Sequence, residues 1–152
     1  MTKDKAWLDA LLVVEEDEFF SRSKSGAIWG TVYFQVGENQ FFPGQGWTDL
    51  VAAFVGVWVE GLLRIAEGIS KKERVPFFDG PFAVDLSMSQ KGFVNLDFVR
   101  DEKPVLSKTV EIKHLLAHGQ AVARDLLSHC QDRAWSNRDT ETLARIVKEM
   151  RY

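Results

Sequence analysis

Residues 82–98 read FAVDLSMSQKGFVNLDF, and this stretch contains the clearest fold signal in the chain. Apolar and polar residues alternate on both sides of Gln90-Lys91-Gly92, as they do in strands that bury one face. A short polar segment with a glycine is typical of the turn between two paired strands. The stretch therefore predicts an antiparallel hairpin, with Asp85 and Asp97 on its outward face.

Strand patterns also lie on both sides of this hairpin. Residues 28–36 alternate in the same way, and the polar turn 37–40 leads from them into Phe41-Phe42. Residues 105–112 predict one more strand. Residues 11–20 fit either a helix or a strand, and their β-branched and aromatic side chains favour a strand.

A first helix is predicted over residues 49–67, where apolar side chains occur nearly all round the helical wheel. Thr48 is a fair N-cap, Asp49 suits the positive end of a helix, and Gly68 is a plausible stop. Because such a helix must be well covered, we expect it to lie across a sheet. The charged residues 71–74 predict a solvated loop.

Two more helices are predicted near the end of the chain. Residues 112–131 carry one continuous apolar stripe at helical spacing, and the single cysteine, Cys130, lies on that stripe. This position favours a core role for Cys130 over a role as a nucleophile. A last helix follows Ser136, which forms a capping-box pattern with Asp139.

Together these elements predict a single domain over residues 1–152, of the α+β class, with an antiparallel sheet of five or six strands packed against three helices. One cysteine cannot form a disulfide framework. The N-terminus has no apolar signal segment, and the longest uncharged apolar run, residues 50–59, is about half of what spans a bilayer. We therefore expect a cytoplasmic protein with no membrane partner.

The net charge of −3 is unevenly distributed along the chain. Residues 1–60 contain four basic and nine acidic side chains, a net charge of −5. An acidic half does not suit a phosphate backbone, so nucleic acid is not expected as a partner. It suits a basic protein surface instead.

Catalytic signatures are missing from the sequence. It contains no phosphate-loop, dinucleotide or esterase motif. His114 and His118 stand four apart on one predicted helix, a spacing that can chelate a metal. However, Leu115 occupies the position of the glutamate in a zinc-protease motif, and no second cluster supplies a third ligand. A solvated helix face explains the pair better, so we expect no metal, no cofactor and no enzymatic activity.

Three short motifs remain: Phe42-Pro43, Trp47-x-Asp49 and Phe78-Asp79-Gly80-Pro81-Phe82, with an apolar helix containing Trp58 between the last two. Over residues 13–130 this order resembles small bacterial immunity proteins, which are encoded beside polymorphic or contact-dependent toxins and neutralise them. The motif residues Trp47, Trp58 and Asp79 are expected to be structural, with the Asp79 side chain bonding local backbone amides.

The resemblance implies a stoichiometric inhibitor whose partner is a cognate toxin domain. Two alternatives stay open: a metal-assisted hydrolase using His114 and His118, and a non-enzymatic adaptor or secretion chaperone.

Acidic side chains are the candidate partner-binding residues. They are Glu15, Glu16, Asp17 and Glu18, with Asp85 and Asp97 as possible neighbours across the sheet. A solvated face or the protection of a sheet edge also explains the acidic run. The second-choice surfaces are the aromatic loop around Phe41 and Phe42 and the polar face of the helix over 112–131.

Overall fold

The computed structural model describes residues 10–150, which form nine strands and three helices. The elements in chain order are β1 (Ala10–Glu15), β2 (Ser21–Arg22), β3 (Ile28–Val36), β4 (Phe41–Phe42), β5 (Thr48–Asp49), α1 (Val51–Ala66), β6 (Lys72–Pro76), β7 (Phe82–Met88), β8 (Phe93–Arg100), β9 (Lys103–Glu111), α2 (Ile112–Asp132) and α3 (Arg138–Glu149). The α+β class is confirmed. Residues 1–9 and 151–152 of the predicted domain lie outside the described residues.

The strands form two antiparallel sheets where the sequence predicts one. In the first sheet β3 pairs with all four of its companions, β1, β2, β4 and β5. The second sheet runs in the order β6-β7-β8-β9, so each strand turns back beside the one before it. The predicted hairpin is its centre, with Asp85 directly opposite Asp97.

Two strand predictions needed correction by the structure. Residues 72–76 form β6 where a solvated loop was expected, because a single apolar side chain, Val75, enters the core while the charged residues stay at the surface. Residues 10–15 are a strand, as favoured, but the strand ends at Glu15, and residues 16–20 form a turn that leads into β2.

The helix starts also differ from their sequence patterns. Thr48 does not cap α1; it pairs with Thr31 as part of β5, and α1 begins at Val51 without a side-chain cap. The stop at Gly68 is confirmed, since this residue has a φ of 74° beyond the C-cap. The capping box of α3 lies one residue further along than predicted, with Asn137 and Thr140 in place of Ser136 and Asp139.

An aromatic cluster joins the two sheets to α1. The ring of Phe34 on β3 is fully buried and lies 6.1 Å from Phe54 and 4.9 Å from Trp58, both on α1. It also lies 6.2 Å from Phe77, which directly follows β6, and 5.4 Å from Phe98 on β8 of the second sheet. All four contacts are edge-to-face, the arrangement that ring quadrupoles favour. The two sheets therefore share one core.

The helix α2 completes this core on one side. Cys130 is buried, as its place on the apolar stripe predicts, and burial raises the pKa of its thiol. A thiol held in its neutral form is a poor nucleophile. The structure therefore supports the core role of Cys130.

Two of the three sequence motifs, Trp47-x-Asp49 and the segment Phe78–Phe82, meet at one buried carboxylate, that of Asp49. Its Oδ2 accepts hydrogen bonds from the indole Nε1 of Trp47, at 3.0 Å, and from the backbone N–H of Asp79, at 3.2 Å. Its Oδ1 accepts from the backbone N–H of Leu50, at 2.7 Å. Asp49 therefore ties the start of α1 to the turn before β7.

Asp79 and Gly80 have defined places in this junction. Asp79 contributes its backbone N–H to Asp49, whereas its side chain forms no hydrogen bond to a backbone amide within residues 10–150, so the role expected for that side chain is wrong. Gly80 has a φ of 76°, and a Cβ there would lie 2.9 Å from the ring of Phe82. That ring packs edge-on against Trp47 at 5.1 Å. These hydrogen bonds and ring contacts bring Trp47, Asp49, Asp79, Gly80 and Phe82 together in space.

We predict that Trp58→Ala lowers the free energy of unfolding by about 3–5 kcal/mol, because it leaves a cavity beside Phe34. Urea denaturation measures this loss. Val57→Ala is the matched control, since Val57 lies one residue away on α1 and is 36% exposed. Equal unfolding free energies for the two variants would contradict a core role for Trp58.

We also predict that Asp49→Ala destabilises the protein by about 3 kcal/mol, because it leaves the Trp47 indole and the Asp79 amide without their acceptor. Asp79→Ala keeps its backbone N–H and should change stability by less than about 0.5 kcal/mol. A larger loss for Asp79→Ala than for Asp49→Ala would show that the Asp79 side chain, and not Asp49, organises this junction.

Candidate partner-binding face

The central strand β3 presents its two faces to different surroundings. Its even-numbered residues point toward α1, as the contacts of Phe34 with Phe54 and Trp58 show. Its odd-numbered residues point the other way, because side chains alternate along a strand. Directly paired residues share a face, so the register adds residues of β1 and β4 to this second side. We call this surface the Tyr33 face: Leu11, Val13, Glu15, Trp29, Thr31, Tyr33, Gln35 and Phe41.

Tyr33 is the buried centre of this face, with 3% of its surface exposed. Its hydroxyl donates a hydrogen bond of 2.9 Å to Oε2 of Glu15, and its ring meets Phe41 edge-on at 5.9 Å. Burial, followed by the bond to Glu15, raises the pKa of Tyr33 to about 12. The phenol is therefore a fixed donor that orients one carboxylate on the face.

Half-buried apolar side chains surround Tyr33. Leu11 and Val13 come from β1, Trp29 from β3 and Phe41 from β4, and each keeps part of its surface open. Tyrosine, tryptophan and phenylalanine are enriched at protein interfaces because they bury a large area at a small cost in conformational entropy. The Tyr33 face thus combines aromatic side chains with carboxylates.

The predicted acidic run follows directly from this face. Asp17 accepts a hydrogen bond from the hydroxyl of Thr31 at 2.9 Å and another from the backbone N–H of Phe19 at 3.0 Å. Glu18 and Phe19 at the tip are exposed, and Phe19 shows 52% of its surface. We call residues 15–20 the acidic loop. Its internal bonds give it a defined shape.

Glu16 points to the end of α2. Its carboxylate accepts a hydrogen bond from the guanidinium of Arg133 and lies 3.1 Å from Nδ1 of His129. The same guanidinium lies 4.9 Å from the ring centre of Phe20 and 5.5 Å from that of Trp135. Cation–π contacts and an ion pair therefore attach the acidic loop to the end of α2. The carboxylate of Glu16 is paired with Arg133 in this contact.

The other two predicted site residues lie on the second sheet. Arg74 binds both carboxylate oxygens of Asp85, at 2.7 and 2.9 Å, and Asp97 accepts a hydrogen bond of 2.6 Å from the hydroxyl of Ser107. Arg74, Asp85 and Asp97 border a shallow depression of about 350 Å³ on the outward face. Strand pairing does not connect this face to the acidic loop, because the two belong to different sheets.

The two helical histidines have separate contacts. His118 is half-buried and its Nε2 lies 2.8 Å from the carbonyl oxygen of Leu12, so the solvated-face prediction is wrong for this residue. Nε2 of His114 lies 2.7 Å from Glu111. Within residues 10–150, no group of three His, Cys, Asp or Glu side chains is arranged to hold a metal ion.

The sequence contains one unused signal for the Tyr33 face. In an alternating strand, residues 29, 31, 33 and 35 of β3 are expected on the solvent-facing side. Two of these four residues are aromatic. Aromatic residues on that side indicate a second covered face or a binding surface. Pairing with Leu11, Val13 and Phe41 depends on strand register, which the sequence alone does not provide.

Comparisons with protein-family models, with curated proteins and with solved structures found no match to this chain. None of the helices within residues 10–150 combines the length and the apolar character needed to cross a membrane.

We predict that Tyr33 ionises near pH 12, well above the ordinary tyrosine value of about 10. A raised pKa means that the phenol keeps its proton to higher pH, and tyrosinate absorbance follows this directly. The measurement uses a Tyr152→Phe background, which leaves Tyr33 as the only tyrosine of the chain. Glu15→Gln removes the nearby negative charge and should lower the pKa toward the ordinary value. An ordinary pKa in the Tyr152→Phe protein would contradict the buried bond.

Proposed function

We propose that the chain is an immunity protein that binds a cognate toxin domain in a one-to-one complex and neutralises it, with the Tyr33 face and the acidic loop as its contact surface. One observation carries this proposal: a face turned away from α1 on which half-buried aromatic side chains lie beside carboxylates that are already hydrogen-bonded. The motif resemblance to immunity proteins supports the same function.

Order in the contact residues favours tight binding. Glu15 is held by Tyr33, and Asp17 is held by Thr31 and the Phe19 amide. Side chains that are fixed before association lose less conformational entropy on binding, so more of the contact energy becomes affinity. An inhibitor that must keep a toxin inactive benefits from this saving.

Charge gives the proposal a partner of stated chemistry. The first 60 residues carry a net charge of −5 and include both the acidic loop and the Tyr33 face. Such a surface attracts a basic protein and accelerates the encounter with it. Toxin domains that act on nucleic acids are often basic, so they are the class that fits best.

Co-expression with the toxin encoded by the neighbouring gene tests the function. We expect protected cells and a complex that survives gel filtration at a one-to-one ratio. Unprotected cells together with the absence of any complex would overturn the proposal. A complex that leaves the toxin active would favour the adaptor or chaperone instead.

We predict that Glu18→Lys slows association with the toxin by about three- to tenfold at low salt, because it reverses an exposed charge at the tip of the acidic loop. Glu18 is a sharper choice than Glu16, whose reversal would also break the bond to Arg133. Stopped-flow rates across a salt series measure the effect, which should shrink as salt screens the charges.

Glu60→Lys is the matched control, since Glu60 is exposed on α1 and away from the Tyr33 face. The contact surface is misplaced if Glu60→Lys slows association as much as Glu18→Lys does. Phe41→Ala against Phe78→Ala provides a second pair, one phenylalanine on the face and one exposed elsewhere. Only Phe41→Ala should speed dissociation.

A further inference from the structure

The Tyr33 face divides into an apolar end and an acidic end. Strand register arranges its residues in rows across β1, β3 and the short strands β4 and β5. Successive rows on one face of a sheet are two residues apart, about 7 Å. The first row is Leu11, Gln35 and Phe41, the second is Val13 and Tyr33, and the third is Glu15, Thr31 and Thr48. The apolar side chains of the first two rows therefore lie about 7–13 Å from the row that contains Glu15.

The carboxylates at the acidic end are held by uncharged groups. Glu15 accepts its hydrogen bond from the hydroxyl of Tyr33. Asp17 accepts from the hydroxyl of Thr31 and from the backbone N–H of Phe19. Burial is the largest cause of the raised pKa of Tyr33, and the bond to Glu15 and the charges of Glu15 and Asp17 add to it. Both carboxylates therefore act on one hydroxyl, which places them close together.

Three exposed carboxylates of this end form no ion pair within residues 10–150. They are Glu15, Asp17 and Glu18. The outward face of the second sheet differs, because Arg74 there binds both carboxylate oxygens of Asp85. A cationic group of a partner therefore meets carboxylates without a counter-charge on the Tyr33 face, and a neutralised one on the second sheet.

Basic residues nearby do not cancel this negative charge. Residues 10–50, which form the first sheet, contain six acidic and two basic side chains, a net charge of −4. One of the two basic residues, Arg22, pairs with Ile28 and so shares the side of β3 that faces α1. Arg133 binds Glu16, and counting it brings the net charge to −3. Charge complementarity therefore selects a cationic group as the occupant of this end.

We propose that this surface binds a segment of the partner that presents an apolar side chain and a basic side chain about 10 Å apart, the separation of the two ends. The apolar side chain packs on Leu11, Val13 and Phe41, and the basic group lies between Glu15 and Asp17. Apolar contacts that exclude water strengthen a charged contact beside them. The inference rests on the contact surface of the proposed function and specifies what the partner places on it.

Two matched peptides test the proposal by amide chemical-shift mapping on the full chain at low salt. The basic probe is acetyl-Leu-Phe-Ser-Gly-Arg-Lys-amide, and its neutral counterpart is acetyl-Leu-Phe-Ser-Gly-Gln-Gln-amide. We expect saturable shifts at Val13, Glu15, Tyr33 and Phe41. The basic probe should bind about tenfold more tightly, as one charge-assisted contact implies.

A nitroxide label on the basic probe reports its orientation. A label at the Arg-Lys end should broaden the amide signals of Glu15 and Asp17 most. A label at the Leu-Phe end should broaden those of Leu11 and Phe41 most. Equal broadening of both groups from either label would overturn the division of the face into two ends.

A double variant, Glu15→Gln with Asp17→Asn, should make the two peptide affinities equal, because it removes both charges and keeps an acceptor oxygen at each position. The control is Glu60→Gln with Glu67→Gln, which removes two exposed carboxylates on α1 and at its C-cap. The control should leave the difference between the peptides unchanged. The same loss of that difference in both double variants would show an effect of net charge alone and would overturn the site.

Other occupants of the face give distinct results. A free chain that is a dimer, with these amides covered, would identify a second copy as the occupant. Binding that begins only after Trp7 and Leu8 are both replaced by serine would identify the chain's own N-terminal residues. Either result, no binding of either probe, or equal affinities in the unmodified chain would overturn the proposal.

The peptide experiment needs no toxin, so its failure is distinct from failure of the proposed function. Protected cells without peptide binding would contradict this inference alone. Peptide binding as expected, without protection of cells on co-expression, would contradict the inhibitor function and support the binding site.

Discussion

Phe34 of β3 places a fully buried ring edge-on against four others, at distances between 4.9 and 6.2 Å. Two of these rings belong to α1, and the other two, Phe77 and Phe98, belong to the second sheet and the segment beside it. Each edge-to-face pair contributes about 0.5–1.5 kcal/mol beyond the area it buries. The relative position of the two sheets depends on this cluster, because β3 and β8 share no hydrogen bonds.

The surfaces available for binding follow from that core. Since Phe34 and its alternate neighbours turn toward α1, the odd-numbered residues of β3 lie on the face that points away from α1. Tyr33 takes the centre of that face and fixes Glu15, while Asp17 is fixed by Thr31. The acidic loop is then attached to α2 through Arg133. The carboxylates of Glu15, Glu16 and Asp17 are thus held in defined positions by Tyr33, Arg133 and Thr31.

Local patterns were sufficient for elements whose burial alternates strongly. The sequence predicts the hairpin of β7 and β8, the helix α2 and the core position of Cys130. In each case apolar residues recur on the buried side at strand or helix spacing. β6 is not readable, since Val75 is its only buried residue.

The rest depends on pairing between distant segments. The start of α1 is hidden because Thr48 and Asp49 have capping chemistry but pair with β3 instead. Likewise the acidic residues are visible in the sequence, yet which of them lie beside Tyr33 is decided by the register of β1 on β3. The sequence analysis grouped Asp85 and Asp97 with the acidic run by charge. They lie on the second sheet, apart from that run.

Hydrogen exchange of the chain with and without the proposed toxin partner tests the central claim most directly, because it reports which backbone segments a partner covers. The account predicts slower exchange in the acidic loop and in the segment 41–48, with no added protection on the outward face of β7 and β8. Protection confined to β7 and β8, with the acidic loop unchanged, would contradict it.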